Sequence, residues 1–221
     1  MRRIPEPELM DDPAQALAYS QADFSASHGR RVAIFRELFP ELEVGGAVLD
    51  LGCGSGDVLL RFARAFPGAR FVGVDGSTPM IALARSALDR EPELGRRVRL
   101  IEGVLPGCPL PAEHWELIMC HSVLHQLHEP LGLWRTIATY GRPGCAVFVA
   151  DLRRPCDQQK ARALVAEGAA NEPEILQRDF YNSLCAAFEP DEVRAQLHAA
   201  GLTQLQVLPQ EPFHLTVHGR L

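Results

Sequence analysis

The run AVLDLGCGSGDVLL, residues 47 to 60, constrains this chain more than any other. A short β-rich apolar stretch meets an acid, Asp50, then three glycines at alternate positions, Gly52, Gly54 and Gly56. An amphipathic helix pattern, DVLLRFARAF, follows and is stopped by Pro67-Gly68. Strand, glycine turn and helix in this order make the first unit of an open α/β sheet whose ligand comes close to the backbone of the turn. The third glycine falls at 56, so the dinucleotide fingerprint GxGxxG is not met: Asp57 stands where it needs glycine. A carboxylate there opposes a pyrophosphate, because the helix N-terminus would have to serve both anions. No Gly-Lys-Ser/Thr follows, so the turn is not a P-loop either.

The same rhythm recurs downstream. ARFVGVDG (69–76) reads as a buried strand ending in an acid, and Ser77 caps a helix, TPMIALARSAL, with Pro79 in its first turn. RVRLIEGVL (97–105), WELIMCHSV (115–123) and CAVFVADL (145–152) are three more strands, with a helix in EPLGLWRTIATYGRPG between the last two. EPDEVRAQLHAAG (189–201) is a helix with a glycine stop. LTQLQVLP (202–209) and FHLTVHG (213–219) pair as an antiparallel hairpin at the sheet edge. The expected fold class is α/β: a doubly wound, mostly parallel seven-stranded sheet with that hairpin and a helical cover. A single domain over 1–221 is expected: an N-terminal helical cap at 1–44, a cofactor-binding core at 45–152, a helical lid at 153–188, and a C-terminal helix and strands at 189–221.

Composition narrows the function. With 22 basic against 28 acidic residues the net charge is −6, which gives no electrostatic footprint for nucleic acid. The six cysteines lie far apart without CxxC or zinc-ligand spacing and read as reduced thiols of a cytoplasmic protein. No run approaches the ~20 apolar residues of a membrane span, so no membrane partner is expected. His121, His125 and His128 are spaced for one helix face, but the stretch leaves a strand before a helix can begin and no HExxH is present; no metal is assigned.

The glycine turn therefore calls for a ligand that presses on backbone without presenting phosphates to it, and an amino-acid sulfonium nucleoside meets that description. Asp75 follows the loop at the spacing, ~20 residues, from which a carboxylate accepts ribose hydroxyls. Asp50 beside the loop attracts an ammonium group. VLDLGCGSG (48–56), FVGVDGSTPMIALAR (71–85), WELIMCHSVLHQL (115–127) and LWRTIATYGRPGCAVFVADL (133–152) together resemble the class I S-adenosylmethionine-dependent methyltransferases. The resemblance implies S-adenosylmethionine as cofactor. It implies a site of Asp50, Gly52, Cys53, Gly54 and Gly56 at the loop and Asp75, Gly76 and Met80 beyond the second strand. Gly103, Val104 and Leu105 would flank the adenine, with His121 near the methionine moiety. Val104 stands where many relatives carry an acid for the adenine amino group.

His121 is also the candidate general base, needed when a nucleophile arrives protonated. Candidate acceptor-binding residues are Tyr19 and Phe24 in the N-terminal helices, His125, Asp151 and Arg153 at the carboxyl edge, and Tyr181 and Asn182 in the lid. The function expected is in-line methyl transfer to a small molecule, by a monomer or homodimer. The alternatives are a tRNA or protein methyltransferase and a non-catalytic, regulatory S-adenosylmethionine-binding protein.

Overall fold

A computed structural model describes residues 1–221 apart from the side chain of Ala26. Its frame is a seven-stranded sheet of β1 (Ala47–Leu51), β2 (Arg70–Asp75), β3 (Val98–Glu102), β4 (Trp115–His121), β5 (Ala146–Leu152), β6 (Gln206–Gln210) and β7 (His214–Arg220), in the order β3-β2-β1-β4-β5-β7-β6. The first five strands are parallel, and β7 runs antiparallel to both β5 and β6. The doubly wound sheet read from the sequence is thus the one that forms. The hairpin enters it second strand first, β7 against β5 and β6 outermost. The reason lies in composition: Leu215, Thr216 and Val217 of β7 are fully buried, whereas β6 alternates between exposed and buried positions as an edge strand does.

Nine helices were assigned among the described residues: α1 (Pro13–Gln21), α2 (Ser25–Leu38), α3 (Asp57–Ala65), α4 (Thr78–Asp89), α5 (Pro92–Gly95), α6 (Leu131–Tyr140), α7 (Gln158–Gly168), α8 (Glu174–Ala186) and α9 (Pro190–Ala199). The single turn α5 was not anticipated, because four residues carry no periodicity to read. Ser77 caps α4 as expected, its Oγ accepting from the Met80 amide at 3.3 Å.

The two faces of the sheet bury different cores. On one, Phe35 of α2 meets Phe62 and Phe66 beside α3 and Phe148 of β5, with ring centroids 5.5 to 5.6 Å apart. Leu117, Met119 and Ala150 lie under the same rings. On the other, Leu133, Trp134 and Ile137 of α6 and Val193 and Leu197 of α9 cover Leu49, Leu51, Val147 and Val149. A Phe35→Ala truncation would cost about 3–5 kcal/mol at such a site.

This topology fixes where a ligand goes. From β1 the chain winds outward through β2 to β3, then returns to start again at β4, so the connections leaving β1 and β4 diverge and open a crevice at their carboxyl ends. Over that edge α1 packs on α4 and α8, and α8 in turn packs on α7.

Candidate active site

The glycine loop sits in the crevice, held by its own backbone. Gly52, Gly54 and Gly56 all have left-handed φ, +77°, +53° and +84°. The amides of Gly52 and Cys53 both donate to the Val74 carbonyl, at 2.7 and 2.9 Å, which ties the loop to β2. At Gly52 the absence of a side chain is obligatory twice over, since a Cβ there would collide with Val123. At Gly54 a Cβ would lie 3.2 Å from the Met80 Cε.

Two carboxylates flank this loop. Asp75 accepts from the Gly54 amide through Oδ2 (2.8 Å) and from the Ser77 amide through Oδ1 (2.9 Å), and each oxygen keeps a lone pair for a further donor. Burial pushes its carboxyl above the usual range against the pull of those two amides. Asp50 is more extreme: 1% exposed, with Oδ1 wholly buried and without a partner. Burial first, and the neighbouring Asp75 second, push its carboxyl up to about 8. An orphaned acid at a glycine loop is what an ammonium-bearing ligand satisfies. The residues present therefore fit S-adenosylmethionine: Asp50 for the ammonium, the glycines for close approach, Asp75 for the ribose.

The remaining predicted cofactor residues divide by where their side chains turn. Met80 is buried against Gly54 at the start of α4. The Cys53 thiol turns inward onto Gly73, and burial holds it well above the ordinary thiol range. The Gly103 amide donates to the Asp75 carbonyl at 2.9 Å, and Val104 is 56% exposed yet touches the space beside Gly76. Leu105 turns the other way, onto the α6 side of the core. Asp57 opens α3 and binds His28 Nδ1 (2.7 Å) and Arg61 Nε (2.9 Å); burial alone would raise its carboxyl, but these two partners bring it down to about 2. The helix N-terminus thus already carries an anion, as the phosphate argument requires.

Several acceptor-site expectations are corrected by the geometry. Asp151 is fully engaged by the protein: Oδ2 accepts from the amides of Val123 (2.9 Å) and Leu124 (2.8 Å), and Oδ1 from His125 Nδ1 (2.6 Å) and the Leu152 amide (2.7 Å). His125 is 4% exposed, and its Nε2 faces Glu6 Oε1 at 3.3 Å. Both residues tie the β4–β5 edge together. Arg153 turns outward to Glu211 Oε1 (2.9 Å) and the Pro212 carbonyl (3.2 Å). Tyr181 lies toward α7, beneath the Arg162 guanidinium, and Asn182 is exposed; the helix turns its Leu184 and Cys185 face inward instead. The three histidines of the β4 stretch face three different environments, His128 meeting the Glu6 carbonyl at 2.8 Å. Among the described residues no group of three His, Cys, Asp or Glu side chains converges as a metal site.

Tyr19 and Phe24 pack together, ring centroids 4.7 Å apart, and Phe24 stacks on His28 at 4.9 Å. The Tyr19 ring is half-buried but its hydroxyl end is enclosed, and that burial pushes it up to about 12. His121, the last residue of β4, lies between Phe62 (5.7 Å) and Phe148 (5.3 Å), with neither ring nitrogen hydrogen-bonded. Burial first, then the neighbouring Arg31 and His28, hold it neutral, well below its ordinary value.

Sequence reasoning missed two contributors. Arg31, on the inner face of α2, is 5% exposed; its signal was a position one turn before Phe35 on the core-facing stripe. The other is the form of the start of the expected N-terminal cap: the residues before α1 are not helical and cross the carboxyl edge as a strap. Arg3 donates to the carbonyls of Ala186, His125 and Leu127, Glu8 accepts from the His128 amide, and Ser77 donates to the Met10 carbonyl. A surface groove of about 430 Å³ lies at the opposite end of the sheet, around Gly45, Trp115 and Cys145. It is open to solvent and away from every carboxylate just described.

A family model described as a methyltransferase domain matches residues 27–207. The chain belongs to this methyltransferase family. Its resemblance to the class I S-adenosylmethionine-dependent enzymes therefore stands, and S-adenosylmethionine is its cofactor. The methyltransferase is 28% identical over 178 residues to the ubiquinone biosynthesis O-methyltransferase of Stutzerimonas stutzeri (strain A1501), covering 80% of this chain and 73% of that protein. It is 29% identical over 163 residues to the protein of the same description from Xanthomonas campestris pv. campestris (strain B100), covering 73% and 64%. The chain thus spans between 64% and 73% of the length of these two relatives. The solved plantazolicin methyltransferase BpumL, in complex with SAH, superposes with a TM-score of 0.70 at 15% identity, over 95% of this chain and 91% of that one, a likeness of fold. No helix among the described residues is long and apolar enough to cross a membrane.

Proposed function

We propose that this methyltransferase moves the S-adenosylmethionine methyl group to a hydroxyl of a small-molecule acceptor, by in-line displacement in an enclosed crevice. The observation that carries the cofactor half of the reading is the orphaned, buried Asp50 oxygen beside three left-handed glycines. The acceptor half is supported by the cover: α1, α8 and the N-terminal strap pack over the carboxyl edge, which suits a small molecule. The names of the O-methyltransferase relatives support an oxygen nucleophile.

Displacement at a sulfonium needs alignment and exclusion of water more than a dedicated catalytic group. A hydroxyl must also lose its proton, and His121, neutral with both nitrogens free, is the group proposed to accept it. The exposed apolar face of Val104 beside Gly76 would pack on the adenine in place of an acid. The protein is further proposed to work in the cytoplasm as a monomer or homodimer; six unpaired cysteines support the location.

The test is transfer of labelled methyl from S-adenosylmethionine in a cell extract, separated by size. Label in the small-molecule fraction, absent with a Gly54→Val variant, supports the proposal. Label retained on protein or RNA, or no transfer at all, contradicts it.

A further inference from the structure

The acceptor side of the crevice contains a set of buried polar atoms that the protein itself leaves without partners. His121, Ala150 and Thr216 are register partners across β4, β5 and β7, so their side chains stand in one row on one face of the sheet. Both His121 nitrogens and the Thr216 hydroxyl are buried without a hydrogen bond. Ala150 between them contributes only a methyl group. Over this row lies α2, which descends from the carboxyl edge toward the start of β1. Phe35 of α2 packs on Phe148, at 5.6 Å, and Phe148 touches His121 at 5.3 Å. Arg31 is one helical turn before Phe35 on the same face, hence one turn nearer the carboxyl edge and the row of orphans.

Arg31 is 5% exposed, its Nε is buried without a partner, and its guanidinium makes no hydrogen bond or ion pair with the described residues. A buried guanidinium with no counter-ion is costly unless something else supplies the anion. The acids that might neutralise it are committed elsewhere: Asp151 to four donors, Asp57 to His28 and Arg61. Aromatic rings accompany both ends of the set: the Tyr19 hydroxyl lies within range of the Arg31 charge, Phe24 packs on Tyr19 at 4.7 Å, and Phe62 packs on His121 at 5.7 Å.

We infer that Arg31 is the anchor for a carboxylate on the methyl acceptor, with Thr216 and His121 completing its hydrogen bonds. The inference rests on the methyltransferase reading and adds the acceptor's chemical class: a small, planar organic acid. Guanidinium and carboxylate match as two parallel N–H···O bonds, which a neutral amide cannot reproduce. An anion seated beside Arg31 also screens the guanidinium charge that helps hold His121 neutral, so acceptor binding makes that imidazole more basic when a base is wanted.

The experiment titrates benzoate, and benzamide as its neutral counterpart, into the S-adenosylhomocysteine complex by calorimetry, for the wild type and for Arg31→Met and Arg31→Lys. Benzoate is expected to bind at least tenfold more tightly than benzamide. Arg31→Met should abolish that preference and Arg31→Lys should retain part of it. Arg31→Met removes an unpaired buried charge, so its ligand-free melting point should rise, which separates loss of the anchor from loss of the fold. Equal binding of the two probes, or a benzoate preference that survives in Arg31→Met, overturns the inference. The preceding S-adenosylhomocysteine titration separates the two readings: its failure counts against the methyltransferase, whereas its success followed by no acid preference counts against Arg31 alone.

Discussion

The His125 imidazole donates to the Asp151 carboxylate across 2.6 Å, with both groups almost fully buried at the β4–β5 edge. Burial alone would discharge the imidazole, yet Asp151 and Glu6 outweigh it and raise His125 to about 9, while the same contact holds Asp151 below its usual range. The pair pins the turn after β4 to the end of β5 and gives the N-terminal strap an ionic foothold through Glu6.

Because the folded His125 value lies above the ordinary 6.5, its contribution is fully present below pH 6.5 and fades as pH climbs toward 9. Urea unfolding followed from pH 6 to pH 9.5 should lose up to about 3 kcal/mol over this window in the wild type. His125→Gln should flatten the profile. Asp151→Asn, which leaves the imidazole without its buried anion, should cost about 3–5 kcal/mol at pH 7.

Asp50 makes an opposite, linked prediction. At pH 7 a carboxyl raised to about 8 is largely protonated in the free protein. An ammonium brought beside it favours the carboxylate, so cofactor binding at pH 7 should release up to about one proton. Calorimetry in two buffers of different ionisation enthalpy measures this directly. Asp50→Asn should bind S-adenosylhomocysteine at least tenfold more weakly and release no proton.

Gly52→Ala tests the loop geometry. It places a Cβ at φ +77° and against the stiff, β-branched Val123, and should cost about 1–3 kcal/mol in urea unfolding. Adding Val123→Ala should relieve the collision but not the backbone strain, recovering only part of the loss.

His121→Phe should separate stability from activity. It removes two buried nitrogens without partners from between Phe62 and Phe148, so the melting point should rise by roughly 2–4 °C for about 1 kcal/mol gained. Methyl transfer should fall about 100-fold or more if the imidazole takes the acceptor's proton as proposed.

The strands and the glycine loop were legible because their signals are local. Ala146 to Ala150 is a continuous apolar run, and Ala47 to Leu51 is apolar apart from Asp50, the pattern of a doubly covered strand; Asp57 in the third-glycine position told against phosphates without reference to the fold. The acceptor side was not legible because its grouping is tertiary. Asp151 read as an acceptor-binding candidate at the carboxyl edge, and its sequence position gives no sign that the amides of Val123 and Leu124 and the His125 ring converge on it. Tyr181 and Asn182 read as lid residues pointing off a core stripe of Phe180, Leu184 and Phe188, but the helix buries Leu184 and Cys185 and leaves Asn182 exposed. Arg31 hid in a weakly amphipathic helix, where an arginine reads as solvated unless its neighbours across the sheet are known.

The cofactor assignment is tested most directly by titrating S-adenosylhomocysteine into the wild type, Gly54→Val and Asp75→Ala, each checked for cooperative melting. A single site of micromolar affinity in the wild type, weakened at least 100-fold in both folded variants, is the predicted result. A folded wild type that gives no binding heat, or variants that bind as tightly as it does, would contradict the placement of the cofactor between the glycine loop and Asp75.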